Sequence, residues 1–447
     1  MGARSGWLQR VLAPQPEAMV MSVERLLSLL RGRTTVHLVR GATRLLEPSL
    51  YPFKADEVPL MGDLGRAGLG GIDAYTSGFR SVFLPASGGW LKAKAIGIPA
   101  GSSRPFLVGD RICTYWLGDV NIGAGRLIWG FSTVDEAENE LRRTAEAREA
   151  GCPAPMPVGV GLYGGVTVID LRDRLELFKL LASETRESLL ERFRLSGRTV
   201  EATCVFMAQP TDVRVDEVLY GFLHPAVEDF IPHGDCRDFL RWLGSSCGSN
   251  LRAHHDAGLL HGTVRKDGGF MTNSHTANHL VDEEGTYTTD YHMAYRSDDG
   301  TLRETEVYFL ASQMSPLPRA AEAAGRELEP AKPLIYEMPP DEGTIIPTGQ
   351  FGGRFFSPAN RQEEYTESFL DGVIYGYNRR RVRQVESRLR REALLTAAVC
   401  KRELFRLLRL PKGMERGTDQ VAMRLATRRF TEEELRDSRA RLEKELG

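Results

Sequence analysis

The sequence predicts an α+β chain with a small antiparallel sheet and one key helix, followed by a mainly helical second lobe. Three observations predict it. Short apolar runs broken by glycine-rich turns occupy residues 60–130, the texture of strands joined by hairpins. One capped helix follows, over 132–150. Beyond about residue 210 the pattern is helical, interrupted by a proline- and glycine-rich passage near 315–360.

Taken in order, residues 1–55 read as an N-terminal extension, with an amphipathic stretch at 22–30 and a β-rich run at 34–39. Residues 56–209 form a first lobe, whose strands are expected at 81–84, 90–98 and 127–130. Ser132 or Thr133 caps the helix that carries Glu136, Glu138, Glu140 and Leu141, and Gly151 with Pro153 behind it ends that helix. A further strand at 202–208 leads into a segment, 209–214, that reads as a hinge. Residues 210–447 form the helical lobe, with a loop insertion near 315–360 and helices from Gln362 to the C-terminus.

With 447 residues, 42% hydrophobic and 26% charged, the chain can bury a sizeable core and is expected to divide into two or three domains. Its formal net charge of −2 gives no global field that would argue for nucleic acid or an anionic membrane surface. The six cysteines, Cys113, Cys152, Cys204, Cys236, Cys247 and Cys400, lack the close pairs of zinc and redox sites. A reducing, cytoplasmic compartment is expected. No apolar run reaches the roughly 18–20 residues of a membrane span. The first twenty residues lack the continuous apolar core of a secretory leader.

The chemistry concentrates in residues 250–294. A helix ending in HHDAGLLHG leads to a loop bearing Asn278, then the apolar pair Leu280 and Val281, a turn at Gly285, and Asp290 beyond it. Group transfer from a nucleotide needs magnesium across the phosphates, and an Asn and an Asp on two arms of a hairpin supply hard oxygen ligands. Asn278 and Asp290 are the expected metal ligands. The order of these parts is that of a protein-kinase-like catalytic segment, so the two lobes are expected to be kinase-like. Such a site also needs a buried lysine held by an acidic residue from the first lobe's helix. The run GWLKAKAIGI (89–98) offers Lys92 and Lys94. Lys92, directly after an apolar pair, is preferred, with Glu140 as its partner and Glu138 as the alternative. Solvated charges on a strand and a helix are the plainer reading.

The run NELRRTAEAREAGCPAP (139–155), preceded by Lys92 and by GAGR (123–126), resembles the selenoprotein O family of atypical kinase-like proteins. Glu140 and Glu146 fall on the two glutamates of that family's helix motif. MAQPTDVRVDEV (207–218) is similar to its hinge strand, and LHG (260–262) with TTDY (288–291) to its metal-binding segment. The resemblance spans roughly residues 80–295. It implies AMP transfer from ATP to hydroxyl groups of protein substrates, with Lys92, Glu140, Arg126 and Arg214 at the phosphates and Asn278 and Asp290 at magnesium. The planar guanidinium suits phosphate because it bonds two oxygens at once.

The chain departs from that family where the arginine at the start of the hinge strand falls on Met207 and the aspartate before the asparagine falls on Ala277; the stretch 263–271 is extra. In ordinary kinase spacing the catalytic aspartate falls on Asn273, and an amide cannot act as a base. NSHTAN (273–278) is similar to the DRHxxN loop of phosphoinositide-kinase-like and related atypical kinases, which makes His275 the expected base; its ordinary pKa near 6.5 suits proton abstraction at neutral pH. Asp267 and Asp282 are weaker substitutes.

Two other features take a structural reading. His254, His255 and His261 fit a helix end and turn better than a metal cluster. The basic run NRRRVRQVESRLRR (378–391) carries Val382, Val385 and Leu389 at helical spacing, which predicts an amphipathic helix with a solvated basic face. The expected function is therefore an ATP- and magnesium-dependent transferase, AMP being the favoured group, acting on a protein or a small molecule. The alternatives are a phosphotransferase with His275 as base and a catalytically inactive pseudokinase scaffold. Nucleic acid is not an expected partner, and the sequence leaves the oligomeric state open.

Overall fold

A computed structural model describes residues 30–61, 68–77, 80–86, 89–97, 107–108, 111–112, 131–167, 199–266, 269–313, 361–380, 382–409, 428 and 430–446. The expected strand at 127–130, the insertion near 315–360, Arg126 and Asp267 lie outside them. The protein is mixed α+β, with an eight-stranded antiparallel sheet and, among the described residues, eight helices. It divides into two compact units. One takes 31–145 and 156–210, and the other 146–155 and the described residues from 211 onward, with Leu30.

The first unit is built on strands β1 (Arg33–Arg40), β2 (Ala42–Leu45), β3 (Glu57–Leu60), β4 (Gly70–Thr76), β5 (Ser81–Ala86) and β6 (Gly89–Lys94). A separate small hairpin, β7 (Leu107–Val108) with β8 (Arg111–Ile112), precedes helix α1 (Val134–Glu149). Strands β9 (Met156–Thr167) and β10 (Thr199–Gln209) complete the sheet, in the order β2-β9-β10-β6-β5-β4-β1-β3. Residues expected as an N-terminal extension thus supply β1 and β2 to this sheet. Val36 and Val39 are fully buried in it, burial that the sequence pattern alone did not demand.

Alternation along the strands gives the sheet two apolar faces. Val82, Leu84, Leu91, Ala93, Cys204 and Phe206 point into one core, capped by Tyr163, whose hydroxyl donates to Pro59 O at 2.6 Å. The other face presents Val160, Leu162, Val205 and Met207 to Ala137 and Leu141 of α1. A reciprocal capping box starts α1: Thr133 N donates to Glu136 Oε2 (3.0 Å) and Glu136 N to Thr133 Oγ1 (3.3 Å). Gly151, in the left-handed region at φ 80°, follows its end.

The second unit contains α2 (Val215–Gly221), α3 (Val227–Phe230), α4 (His233–Asp256), α5 (Gly300–Tyr308), α6 (Arg361–Tyr377), α7 (Ser387–Leu407) and α8 (Glu432–Leu446). Between α4 and α5 lie three two-stranded ladders, formed from β11 (Leu259–Leu260), β12 (Val264–Lys266), β13 (Gly269–Met271), β14 (His279–Val281), β15 (Thr286–Thr288) and β16 (Tyr295–Arg296). Phe222, Phe239, Leu243, Val373, Tyr377 and Leu394 belong to its core. Helices α4 and α6 meet backbone to backbone through four glycines. A Cβ on Gly244 or Gly248 would strike the carbonyls of Phe369 or Val373, and one on Gly372 or Gly376 those of Arg241 or Ser245. Any side chain there would force the helices apart.

Residues 378–391 do not form the single amphipathic helix that their spacing predicts. The chain leaves α6 at Tyr377, and 382–386 have no regular structure before α7 begins at Ser387. Its arginines are spent on local anchors. Arg383 pairs with Asp238 at 2.6 Å, Arg379 pairs with Asp256, and Arg391 grips Glu283 through two bonds of 2.6 and 2.8 Å. Arg390 lies over the Trp242 ring, 5.0 Å from its centre. No helix among the described residues is long and apolar enough to cross a membrane. The five described cysteines are buried free thiols.

Candidate functional site

In the sheet unit, β6 places Lys92 and Lys94 on one face, opposite Met207 and Val205 of β10. Both lysines are buried. The ion pair with Glu140 is made by Lys94, whose Nζ donates to Glu140 Oε1 at 2.9 Å and Oε2 at 2.8 Å, the two side chains being only 7% and 5% exposed. The preferred pairing of Lys92 with Glu140 is therefore corrected by one strand period. Residues i and i+2 share a face, so the preceding apolar pair does not discriminate between them; what decides is which lysine lies level with α1. Helix periodicity makes the choice between glutamates. Glu140 sits on the stripe of Ala137, Leu141 and Thr144, all buried, whereas Glu138 faces solvent and pairs with Arg44 at 2.7 Å.

Thr144 Oγ1 donates to Glu140 O at 2.7 Å, fastening the helix turn behind that carboxylate. Ala95, directly after Lys94, holds a left-handed φ of 64°, and its N–H donates to Arg80 O at 2.7 Å. A residue with a Cβ adopts that conformation at a cost on the order of 1 kcal/mol. The strand thus breaks immediately beyond the lysine.

In the helical unit, residues 272–294 form a tightly bonded loop and hairpin. His275 precedes a single 3-10 turn, Thr276–Asn278. Asn278 Nδ2 is shared among Asn273 O (2.9 Å), Asn273 Oδ1 (2.9 Å) and His275 Nε2 (3.2 Å), three acceptors for two protons. Asn273 Nδ2 donates across the hairpin to Asp290 O at 2.6 Å, and Thr289 N donates to Asn278 O at 2.9 Å. The loop thus brings Asn273, His275, Asn278 and Asp290 together. Arg214, just before α2, donates through Nη1 to Ala277 O, so its described contact braces the loop backbone.

Asp290 adopts φ 72° and ψ 60°, a left-handed conformation that aspartate tolerates better than most residues. Its Oδ1 accepts from His292 Nδ1 at 2.7 Å. Asn278 and Asp290 offer hard oxygens, and the bonds on the Asn278 nitrogen fix which side of its amide carries the oxygen. This donor set suits magnesium. No group of three or more His, Cys, Asp or Glu side chains that would hold a metal by themselves occurs among the described residues.

Beneath this loop lies a buried histidine network. His254 bonds Asn250 O and the Tyr291 hydroxyl, and burial pushes its pKa down to about 3. His255 bridges Tyr377 (2.7 Å) and Glu306 (2.9 Å), while His261 Nε2 donates to Thr289 O at 2.9 Å. These contacts make His254, His255 and His261 structural supports. Glu306, fully buried, also accepts from Thr263 Oγ1 at 2.9 Å; lying within an ordinary helical sequence, it gave no signal of this role. His279 is buried with no hydrogen-bond partner on either ring nitrogen, and burial holds it well below its ordinary pKa.

Sequence reasoning also passed over Gln209, whose side-chain amide is buried at the end of β10 with neither its nitrogen nor its oxygen partnered. No protein-family model matches the chain, and no curated protein matches it.

Proposed function

We propose that this protein is an ATP- and magnesium-dependent transferase with a two-lobed, kinase-like fold, acting on a hydroxyl group, with AMP as the group transferred. The observation that carries the reading is the buried Lys94–Glu140 pair. An ion pair withdrawn from water this far is weak evidence for stability, because desolvation offsets most of its attraction. A lysine fixed on a strand by a helix glutamate is what phosphate binding in kinase-like proteins uses. Support also comes from the linked set of Asn273, Asn278 and Asp290, which offers two hard oxygens on opposite arms of a short hairpin. AMP rather than phosphate is favoured by the resemblance to selenoprotein O.

In this reading Lys94 neutralises phosphate charge and Glu140 holds its ammonium in place. Asn278 and Asp290 hold magnesium, which supplies charge neutralisation on the phosphates. Asn273 locks the Asn278 amide, and Arg214 fixes the loop backbone at Ala277. The protein's contribution is positioning and electrostatic stabilisation. His275, beside Asn278, is the group suited to accept the substrate's proton. A protein substrate is favoured over a small molecule.

The test uses ATP labelled separately at the α- and γ-phosphate, incubated with magnesium, this protein and a lysate. Protein labelled from the α-phosphate supports AMP transfer. Label from the γ-phosphate alone replaces it with phosphotransfer using His275, and no label with retained ATP binding replaces it with a pseudokinase scaffold. Asp290→Ala should abolish labelling while far-UV circular dichroism stays unchanged; transfer that survives the substitution removes Asp290 from the site.

A further inference from the structure

Gln209 is only 3% exposed, yet its carboxamide donates and accepts no hydrogen bond. A carboxamide has two donor protons and an oxygen with two lone pairs, and leaving them unmet inside a protein costs free energy. Such a group is unusual enough in a folded interior to need a reason.

Its surroundings supply one. In the β10–β6 ladder Gln209 is opposite Trp90, Met207 opposite Lys92 and Val205 opposite Lys94. Directly opposed residues of an antiparallel pair share a face, so the amide, the tryptophan and both lysines lie on one side of the sheet. Tyr75, in register with Phe83, which is itself opposite Lys92, joins the same face and meets Trp90 edge-on at 5.6 Å. From the Gln209 row to the Lys94 row is four residues, about 13 Å along the strand. One end of the row therefore offers a neutral donor–acceptor pair beside aromatic rings, and the other offers cationic ammonium groups. A mononucleotide has the matching polarity: a flat base with adjacent donor and acceptor at one end, phosphates at the other.

We propose that Gln209 is a specificity-determining residue that reads the base of an adenine nucleotide through its side-chain amide. The amide nitrogen donates to a ring nitrogen of adenine while the amide oxygen accepts from the 6-amino group, a bidentate match that carboxamides make with this base. The proposal rests on the nucleotide reading above and adds to it the chemical feature recognised.

Calorimetric titration of the full chain with magnesium and three probes tests it: ATP, purine riboside triphosphate, which lacks only the 6-amino group, and inorganic tripolyphosphate. The native protein should bind purine riboside triphosphate roughly tenfold more weakly than ATP, as expected for the loss of a hydrogen bond from a buried partner. Gln209→Leu should bind the two equally, keep tripolyphosphate binding, and melt no lower than the native protein, since the unmet amide is gone. Equal binding of ATP and purine riboside triphosphate by the native protein, both tighter than tripolyphosphate, overturns the role of Gln209 and leaves the nucleotide reading standing. Binding of none of the three overturns the nucleotide reading and this inference with it. The native-protein comparison stands by itself should Gln209→Leu fail to fold.

Discussion

Each unit of this protein buries a lysine–glutamate pair, and the two pairs differ in what surrounds them. In the helical unit Lys401 of α7 reaches Glu217 of α2 at 3.2 Å, both side chains 4% exposed. Glu217 is also part of helix architecture, since its Oε2 accepts from Arg214 N at 3.1 Å at the start of α2. Lys401 lies over the Phe405 ring, 5.0 Å from its centre. In the sheet unit Lys94 holds both oxygens of Glu140 and stands where β6 breaks at a left-handed alanine. Burial and distance alone do not separate a fastening from a working group. The backbone around the charge differs between the two: Glu217 closes a helix end, whereas Glu140 sits in mid-helix, where no cap requires a carboxylate.

The sharpest way to break that contrast is to remove each lysine in turn. Lys94→Met and Lys401→Met each leave a buried carboxylate without its cation and should cost about 3–5 kcal/mol in urea denaturation. Only Lys94→Met should also abolish ATP binding; equal loss of binding in both would make the two pairs equivalent. Next in size is a change of packing alone. Gly376→Val on α6 should cost about 2–4 kcal/mol, because a side chain there meets the Ser245 carbonyl. A melting temperature unchanged by this substitution would show that α4 and α6 can separate without penalty.

A third measurement concerns a carboxylate with no such lysine. Burial, with Asp235 nearby and only partly opposed by Arg388, raises the pKa of Glu392 from 4.5 to about 7. The folded state therefore holds its proton more tightly than the unfolded chain. Its contribution is complete below pH 4.5 and is lost as pH rises through 7. Glu392→Gln should remove that loss and stabilise the protein by about 1–3 kcal/mol at pH 8, with little change at pH 4. An identical pH profile of stability in the variant would refute the assignment. The smallest effect belongs to the surface. Arg44→Ala breaks the exposed pair with Glu138 and should change stability by less than about 1 kcal/mol. A larger loss would mean that Glu138 shares the role given to Glu140.

Where local chemistry decided the structure, the sequence was legible. Ser132 or Thr133 as a cap announced the start of α1, short apolar runs between glycine-rich turns announced β5 and β6, and those turns against helical texture announced an α+β chain with an antiparallel sheet. The spacing of Asn273, His275 and Asn278 marked a loop whose side chains do bond one another. Legibility failed where a long-range neighbour decided. Period two leaves Lys92 and Lys94 equivalent until the position of α1 is known. The 378–391 run has helical spacing, yet its arginines find acids at Asp238, Asp256 and Glu283 that hold part of it irregular. The glycine pairs at 244 and 248 and at 372 and 376 were in plain view, but their meaning depends on each facing the other. Gln209 gave no signal, because an unmet hydrogen bond is a property of the folded surroundings.

The buried thiols offer a clock for the opening of each unit. Burial raises Cys204 in the sheet unit, and Cys236 and Cys247 in the helical unit, to about 12, and Cys400 is raised as well. A thiol reagent attacks the thiolate, so none of these sulfurs reacts until its surroundings open. With Cys113 replaced by serine, mass-resolved labelling would time the exposure of Cys204 separately from that of Cys152, Cys236, Cys247 and Cys400, and a nucleotide bound as proposed should slow the first.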